Sequence, residues 1–241
     1  MKPVFALLLL LSFSISSCYY GMGGKRVRGN GQVTTTTKTP GSFSEVEQKG
    51  SFDIILKTGS SHEVQIEAED NIIPHIETMV EGNKLVIRTE DGFRLKPTHS
   101  IRIVITAPSF RAVWSYGSGN ITANSPISDD GELEVGTKGS GDITLEVQAP
   151  EVKAVSHGSG NIVLSGQTRT VKMESAGSGD LMAAELKAES VTISIKGSGN
   201  ASAYASKELD VEVKGSGDVT YKGNPSIKTD IKGSGNIRKM D

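Results

Sequence analysis

Cysteine is nearly absent. Cys18 is the only one, so no disulfide can form within the chain, and a disulfide-stapled fold is excluded. Aromatic residues make up only 5% of the sequence, so a core must be assembled from Ile, Val, Leu and Ala. Neither charge sign dominates. The formal net charge is −2, which argues against nucleic-acid binding, since that requires a basic face to displace counterions. His62, His75, His99 and His157 show no metal-ligand spacing, and neither a metal nor a cofactor is expected. There is no Walker loop, no His-Glu-x-x-His and no Gly-x-Ser-x-Gly elbow. Convincing helical periodicity is also missing, although Asn71 to Met79 has room for a short helical turn.

Long apolar runs are confined to the N-terminus. Lys2 precedes Val4 to Leu11, and Ser12 to Ser17 lead into Cys18, which is the layout of a secretory signal over residues 1–17. The run is too short to span a bilayer, which needs about 20 apolar residues. Ile15-Ser16-Ser17-Cys18 resembles the bacterial lipobox, which implies acylation of Cys18 as the first mature residue. A free thiol or an intermolecular bridge are the alternatives. Two or more acyl chains anchor stably, since each buried CH2 contributes about 0.8 kcal/mol. The expected location is therefore the cell envelope, at the outer membrane. Residues 18–41, rich in Gly, Thr, Lys and Arg, read as a flexible tether, part of which could add an edge strand.

What the chain has in abundance is glycine, 28 residues of it. Residues 42–116 alternate as strands, with Phe52 to Leu56, Val64 to Glu67, Lys84 to Arg88 and Ile101 to Ile105 separated by turn signals such as Glu81-Gly82-Asn83. From 117 to 241 the tetrapeptide Gly-Ser-Gly-Asn/Asp occurs seven times, at intervals of about 18–22 residues. An aliphatic residue follows in six copies (Ile121, Ile143, Ile162, Leu181, Val219 and Ile237), and Ala201 in the other. Such a repeat cannot bury its apolar side alone, whereas stacked copies can. The fold class is therefore all-β, a β-helix-like solenoid whose N-terminal part is residues 42–116.

The structural turn residues are Gly117, Gly119 and Asn120; Gly139, Gly141 and Asp142; Gly158, Gly160 and Asn161; Gly177, Gly179 and Asp180; Gly197, Gly199 and Asn200; Gly215, Gly217 and Asp218; and Gly233, Gly235 and Asn236. Their glycines are expected to permit a sharp corner with positive φ, and Asn and Asp to tolerate the left-handed region. The fourth position alternates strictly between Asn and Asp. With one copy per rung, about 4.8 Å apart, alternation separates like charges and lets Asn amides donate to Asp neighbours. Two copies per longer coil is the other arrangement open to the sequence.

This order of motifs resembles the DUF2807 family of bacterial proteins, the head GIN domain family of adhesin type, common as lipoproteins of Bacteroidetes. The resemblance rests on Phe43-Ser44-Glu45-Val46, Gly50-Ser51-Phe52-Asp53-Ile54-Ile55-Leu56, Val64-Gln65-Ile66-Glu67-Ala68, Leu85-Val86-Ile87-Arg88 and the Gly-Ser-Gly series. It implies a β-helix-like fold and an envelope location, and brings no catalytic residues.

Functional expectations follow. Lys138, Lys196, Lys214 and Lys232 directly precede turns and could together face an anionic glycan or headgroup, although a solvated row is the plainer reading. Trp114 and Tyr116 are expected in a core or cap role, with a sugar-stacking patch as the alternative. The acidic positions faintly resemble calcium-binding β-roll repeats, but the leading Gly-Gly is missing and the period is twice as long. The expected role is a non-enzymatic envelope lipoprotein, an adhesin or a structural protein that binds a polysaccharide or another envelope protein, with self-association also open. The rival is a polysaccharide-degrading enzyme using Asp142, Asp180 and Asp218, since glycosidases work with paired carboxylates.

Overall fold

The computed structural model describes residues 24–240. Among them, one 3-10 turn at Ile73–His75 is the sole helical piece, and the other regular elements are strands. Each Gly-Ser-Gly copy forms one rung. Ile143–Ser156 lies parallel to Ile162–Ser175, with Ile143 opposite Ile162 and Val152 opposite Val171. The next partners are Leu181–Ile195 and then Ala201–Val213. The two-copies-per-coil arrangement is thereby excluded.

Burial parity shows how one strand covers two faces. In Ile143–Ser156 the core-facing buried residues are Ile143, Leu145, Val147 and Ala149, followed by Val152, Ala154 and Ser156, while Val155 is buried outside the apolar core. A flat strand keeps one parity, because successive side chains alternate between faces. The switch across Pro150 therefore marks a corner, and the strand wraps around the core. The aliphatic residue after each turn points inward as expected: Ile121, Ile143, Ile162, Leu181, Ala201 and Val219 are buried, and Ile237 in the last rung is half-buried. Full burial of each such Ile, Leu or Val contributes about 1.5–3 kcal/mol.

The first rungs do not follow chain order. Glu45–Lys49 sits between Lys84–Thr89 on one side and Ala112–Ser115 on the other, all parallel. Asp53–Thr58 likewise lies between Arg102–Ala107 and Ile121–Ala123. Gly50-Ser51-Phe52-Asp53 thus becomes an additional turn at the base of the stack. This end is closed by antiparallel strands: Ile76–Glu81 on Lys84–Thr89, and Glu63–Glu69 on Arg102–Ala107. Phe43, Phe52 and Phe110, at most 2% exposed, supply the bulk here, whereas later rungs are filled by Ile, Val, Leu, Ala and Met.

Residues 25–38, expected within the tether, form two strands. Lys25–Arg28 runs parallel to Phe93–Lys96, and Val33–Lys38 pairs antiparallel with Glu63–Glu69. Side-chain hydrogen bonds hold them, together with partial burial of Val27 and its partner Leu95 against the core. Buried Glu69 accepts from the Gly31 N–H (2.7 Å), the Thr98 N–H (2.9 Å) and the Thr98 hydroxyl (2.5 Å). Asn71 donates to the Arg28 carbonyl. The leader at 1–17, Cys18 and residues 19–23 of the tether lie outside the described residues.

Candidate binding face and corner ladder

The repeated corner is built by close stacking. None of its glycines has positive φ, and no other residue type does among the described residues, so the expected left-handed corner is corrected. The glycines are required because the rungs touch. A Cβ on Gly139 would lie 1.9 Å from the Gly117 carbonyl oxygen, and one on Gly158 would lie 2.1 Å from that of Gly139. Backbone bonds run up the corner, with Ser140 N–H to Gly117 O at 3.0 Å and Ser159 N–H to Gly139 O at 3.1 Å.

The Asn/Asp row is a continuous acceptor ladder. Asp53 Oδ1 accepts the Asn120 N–H, and Asn120 Oδ1 accepts the Asp142 N–H, both at 3.1 Å. Asp142 then accepts from Asn161 at 2.7 Å, Asn161 from Asp180 at 2.9 Å and Asp180 from Asn200 at 2.7 Å. Asn200 accepts from Asp218 at 3.0 Å, and Asp218 from Asn236 at 2.8 Å. The amide-to-carboxylate bonds expected from alternation are present at Asn200 to Asp180 and Asn236 to Asp218. Asp142, Asp180 and Asp218 therefore hold the next rung in place, and they stand in a single row rather than flanking a bond from two sides.

Behind the corner runs a buried polar column that the sequence reading missed. Ser115, Thr137, Ser156 and Ser175 each stand two residues before a turn glycine and are at most 2% exposed. The Ser156 hydroxyl donates to the Gly160 carbonyl and the Ser175 hydroxyl to that of Gly179. At the base, Ser115 donates to the Gln48 side chain, whose amide donates to the Gly50 and Phe52 carbonyls. The recurring small hydroxyl at that offset was the available signal.

Trp114 and Tyr116 are not in the core: both are half-exposed on the outer face. Trp114 lies in register between Glu47 and Gly136, and its indole covers Gly136, where a Cβ would meet the ring at 2.4 Å. The two aromatic centroids are 5.9 Å apart. Lys138 Nζ stands 5.3 Å from the Trp114 ring and 5.1 Å from that of Tyr116, and Lys49 stands 5.6 Å from Tyr116. Such cation–π contacts contribute about 0.5–1 kcal/mol each at exposed sites. The aromatic pair borders an open depression of about 490 Å3 whose wall includes Glu45, Glu47, Lys84, Arg111, Glu132 and Glu134. Burial pushes the Glu47 carboxyl up, but hydrogen bonds from Lys84 and Lys49 outweigh it, leaving its pKa below the ordinary value. Glu134 is paired with Lys153 at 2.8 Å.

The four lysines do occupy one outward column, but they do not form one cationic face. His157 and Ala176 fill the column between Lys138 and Lys196, as the backbone bonds to Thr137 and Ser156 show. Lys214 pairs with Glu212, and Lys232 with Asp230. Only Lys138 belongs to the aromatic pair. Among the described residues no three His, Asp or Glu side chains converge as a metal site, and no helix is long and apolar enough to cross a membrane.

Solved bacterial structures share this architecture. One from Bacteroides fragilis NCTC 9343, described as a "putative adhesin", superposes with a TM-score of 0.85 at 24% identity, covering 89% of this chain and 100% of its own. Another "putative adhesin", from Parabacteroides merdae ATCC 43184, gives 0.71 at 20% identity, covering 90% and 99%. At those identities the likeness establishes the fold alone. A "putative lipid binding protein" from Parabacteroides distasonis ATCC 8503 gives 0.74 at 26% identity, covering 90% and 100%. No curated protein matches the chain. Residues 42–225 match the family described as "Putative auto-transporter adhesin, head GIN domain", which points to the cell envelope or surface, and the chain belongs to that family, DUF2807.

Proposed function

We propose that this protein is a non-enzymatic lipoprotein of the outer membrane that holds a polysaccharide through the face built around Trp114 and Tyr116. The observation that carries this reading is the pair of half-exposed aromatic rings on a rigid sheet, bracketed by Lys138 and Lys49 and opening onto the depression walled by carboxylates. Sugar rings present apolar C–H faces that stack on indole and phenol, while their hydroxyls donate hydrogen bonds to carboxylates and accept them from cations. A site on a β-solenoid is held by both neighbouring rungs, so little ordering cost accompanies binding. The use of Asp142, Asp180 and Asp218 as acceptors for the adjacent rung favours a structural role for the repeat carboxylates over a catalytic one.

The anchor is Cys18. Acylation there would leave residues 19–24 as the link between membrane and first strand, so the binding face would be displayed close to the bilayer. Incorporation of labelled fatty acid into the wild-type chain, and its loss in Cys18→Ser, tests the anchor.

The binding role is tested by incubating the domain with a panel of neutral and anionic polysaccharides, following retention and new chain ends together. Retention without new ends, weakened in Trp114→Ala, is the expected result. New chain ends that disappear on replacing Asp142, Asp180 or Asp218 by Asn would overturn the reading.

A further inference from the structure

The two ends of the solenoid are finished differently. The base is closed by antiparallel strands, whereas among the described residues Ser226–Ile231 pairs on one side only, parallel to Glu208–Val213. All six of its residues are exposed, including Ile227 at 42% and Ile231 at 39%. These continue inner columns whose preceding members, Leu209 and Val213, are at most 1% exposed. The Lys232 N–H bonds inward to the Val213 carbonyl. Backbone groups alternate along a strand, so those of Lys228 and Asp230 also face inward, and those of Ile227, Thr229 and Ile231 face the open edge.

We infer that this strand is a homodimer interface, pairing antiparallel with its own copy about a two-fold axis at Thr229. In that register Thr229 opposes Thr229 of the second copy, and Ile227 opposes Ile231. All three are hydrogen-bonded pairs, which use every outward N–H and C=O of these residues. Ile227 and Ile231 then cover the exposed end of the core from both sides. Lys228 opposes Asp230 in the intervening positions, where side chains of an antiparallel pair come closest, and the two-fold axis makes that ion pair twice. The charge pattern of the strand is thus complementary to itself when reversed. The neighbouring edge strand Ile237–Lys239 carries Arg238 and Lys239 and lacks this property, so pairing is assigned to Ser226–Ile231. Lysines on an edge can serve merely to keep it unpaired. Lys228 leans on Asp210 at 3.4 Å and Asp230 on Lys232 at 2.8 Å, but these are exposed pairs worth little, and the acidic counterpart of Lys228 at the mirrored position favours recognition of a second copy.

The test is the sedimentation-equilibrium mass of the chain carrying Cys18→Ser, with concentration raised to the millimolar range. A monomer–dimer equilibrium is expected. Thr229→Pro removes an outward N–H not used by the neighbouring rung and should leave a folded monomer. Asp230→Lys sets like charges opposite each other and should weaken dimerisation at least tenfold, and Lys228→Asp combined with Asp230→Lys should restore it. Thr229→Cys should form an intermolecular disulfide under mild oxidation, since directly bonded antiparallel pairs have Cα separations of about 5.5 Å. Ile227→Cys alone should not, because its partner position is 231. A monomer at every concentration, or a dimer indifferent to both the Pro and the charge variants, would overturn the proposal.

Discussion

Gly158 stands so close to Gly139 that a Cβ on it would lie 2.1 Å from the Gly139 carbonyl oxygen, with the next contact at 2.9 Å to the backbone of Lys138. Both obstacles are backbone, so they cannot swing aside. Gly158→Ala must spread the central rungs and lengthen bonds such as Ser159 N–H to Gly139 O. The expected cost is about 1–3 kcal/mol, as for overpacking of a core. Gly233→Ala meets the Gly215 carbonyl at 2.0 Å, but among the described residues no further turn is stacked on it, so its cost should be smaller. Urea denaturation of the two variants checks the difference; equal losses would show that stacking distance is not what demands glycine.

The ladder supplies a second prediction. Asn161→Asp keeps the acceptor for the Asp180 N–H but places a carboxylate between Asp142 and Asp180. At about 4.8 Å in high dielectric each new contact costs about 1 kcal/mol, and salt should screen most of it. Asp180→Asn should be nearly neutral, because an amide oxygen still accepts the Asn200 N–H. Asp180→Ala should cost about 1–3 kcal/mol by leaving that N–H without a protein acceptor. Denaturation at low and high salt separates the charge effect from the hydrogen-bond effect.

How far the sequence carried the fold depends on how often each feature recurs. The corner, the inward aliphatic residue at positions such as Ile143 and Leu181, and the one-sided alternation were legible because they repeat at a near-constant interval. The base was not. Phe52 replaces the second glycine of its turn, and Asp53 meets its ladder partner Asn120 across 67 residues, so neither spacing nor motif announces the pairing. Nor can a sequence distinguish a glycine needed for positive φ from one needed for close approach. Trp114 reads as core until its register with Gly136 is known, because a one-residue slip moves every side chain to the opposite face.

Glu69 makes the N-terminal strands sensitive to acid. The Thr98 hydroxyl, followed by the backbone N–H groups of Thr98, Gly31 and His99, lowers its pKa to about 2 from the ordinary 4.5, against the opposing effect of burial. A carboxyl depressed on folding contributes stability that is complete above the unfolded-state value and lost as pH falls through the folded one. Hydrogen-exchange protection of Val33–Lys38 should therefore hold at neutral pH and decline between about 4.5 and 2. Glu69→Gln should lower protection at neutral pH and remove most of that acid dependence. Unchanged protection in the variant would mean that the strand is held without this carboxylate.

The single tryptophan gives the binding face its own reporter. Trp114 lies over Gly136 and beneath Lys138, so its emission should respond to anything that seats against the ring or displaces the lysine. Titration with a polysaccharide retained by the domain should shift that emission, and Tyr116→Ala should weaken binding at least tenfold, about 1.4 kcal/mol. Gly136→Val separates the ring's position from its presence. A side chain there would meet the indole at 2.4 Å from the Cβ alone, lifting the ring off the sheet while leaving every ligand-facing group in the chain. If a flat, seated indole is what the sugar stacks on, Gly136→Val should lose affinity nearly as far as Trp114→Ala, with thermal stability tracking wild type more closely than affinity does. If affinity survives Gly136→Val, the surrounding charges, Lys138 and the carboxylates of the depression, carry recognition, and the binding should then fall steeply with salt.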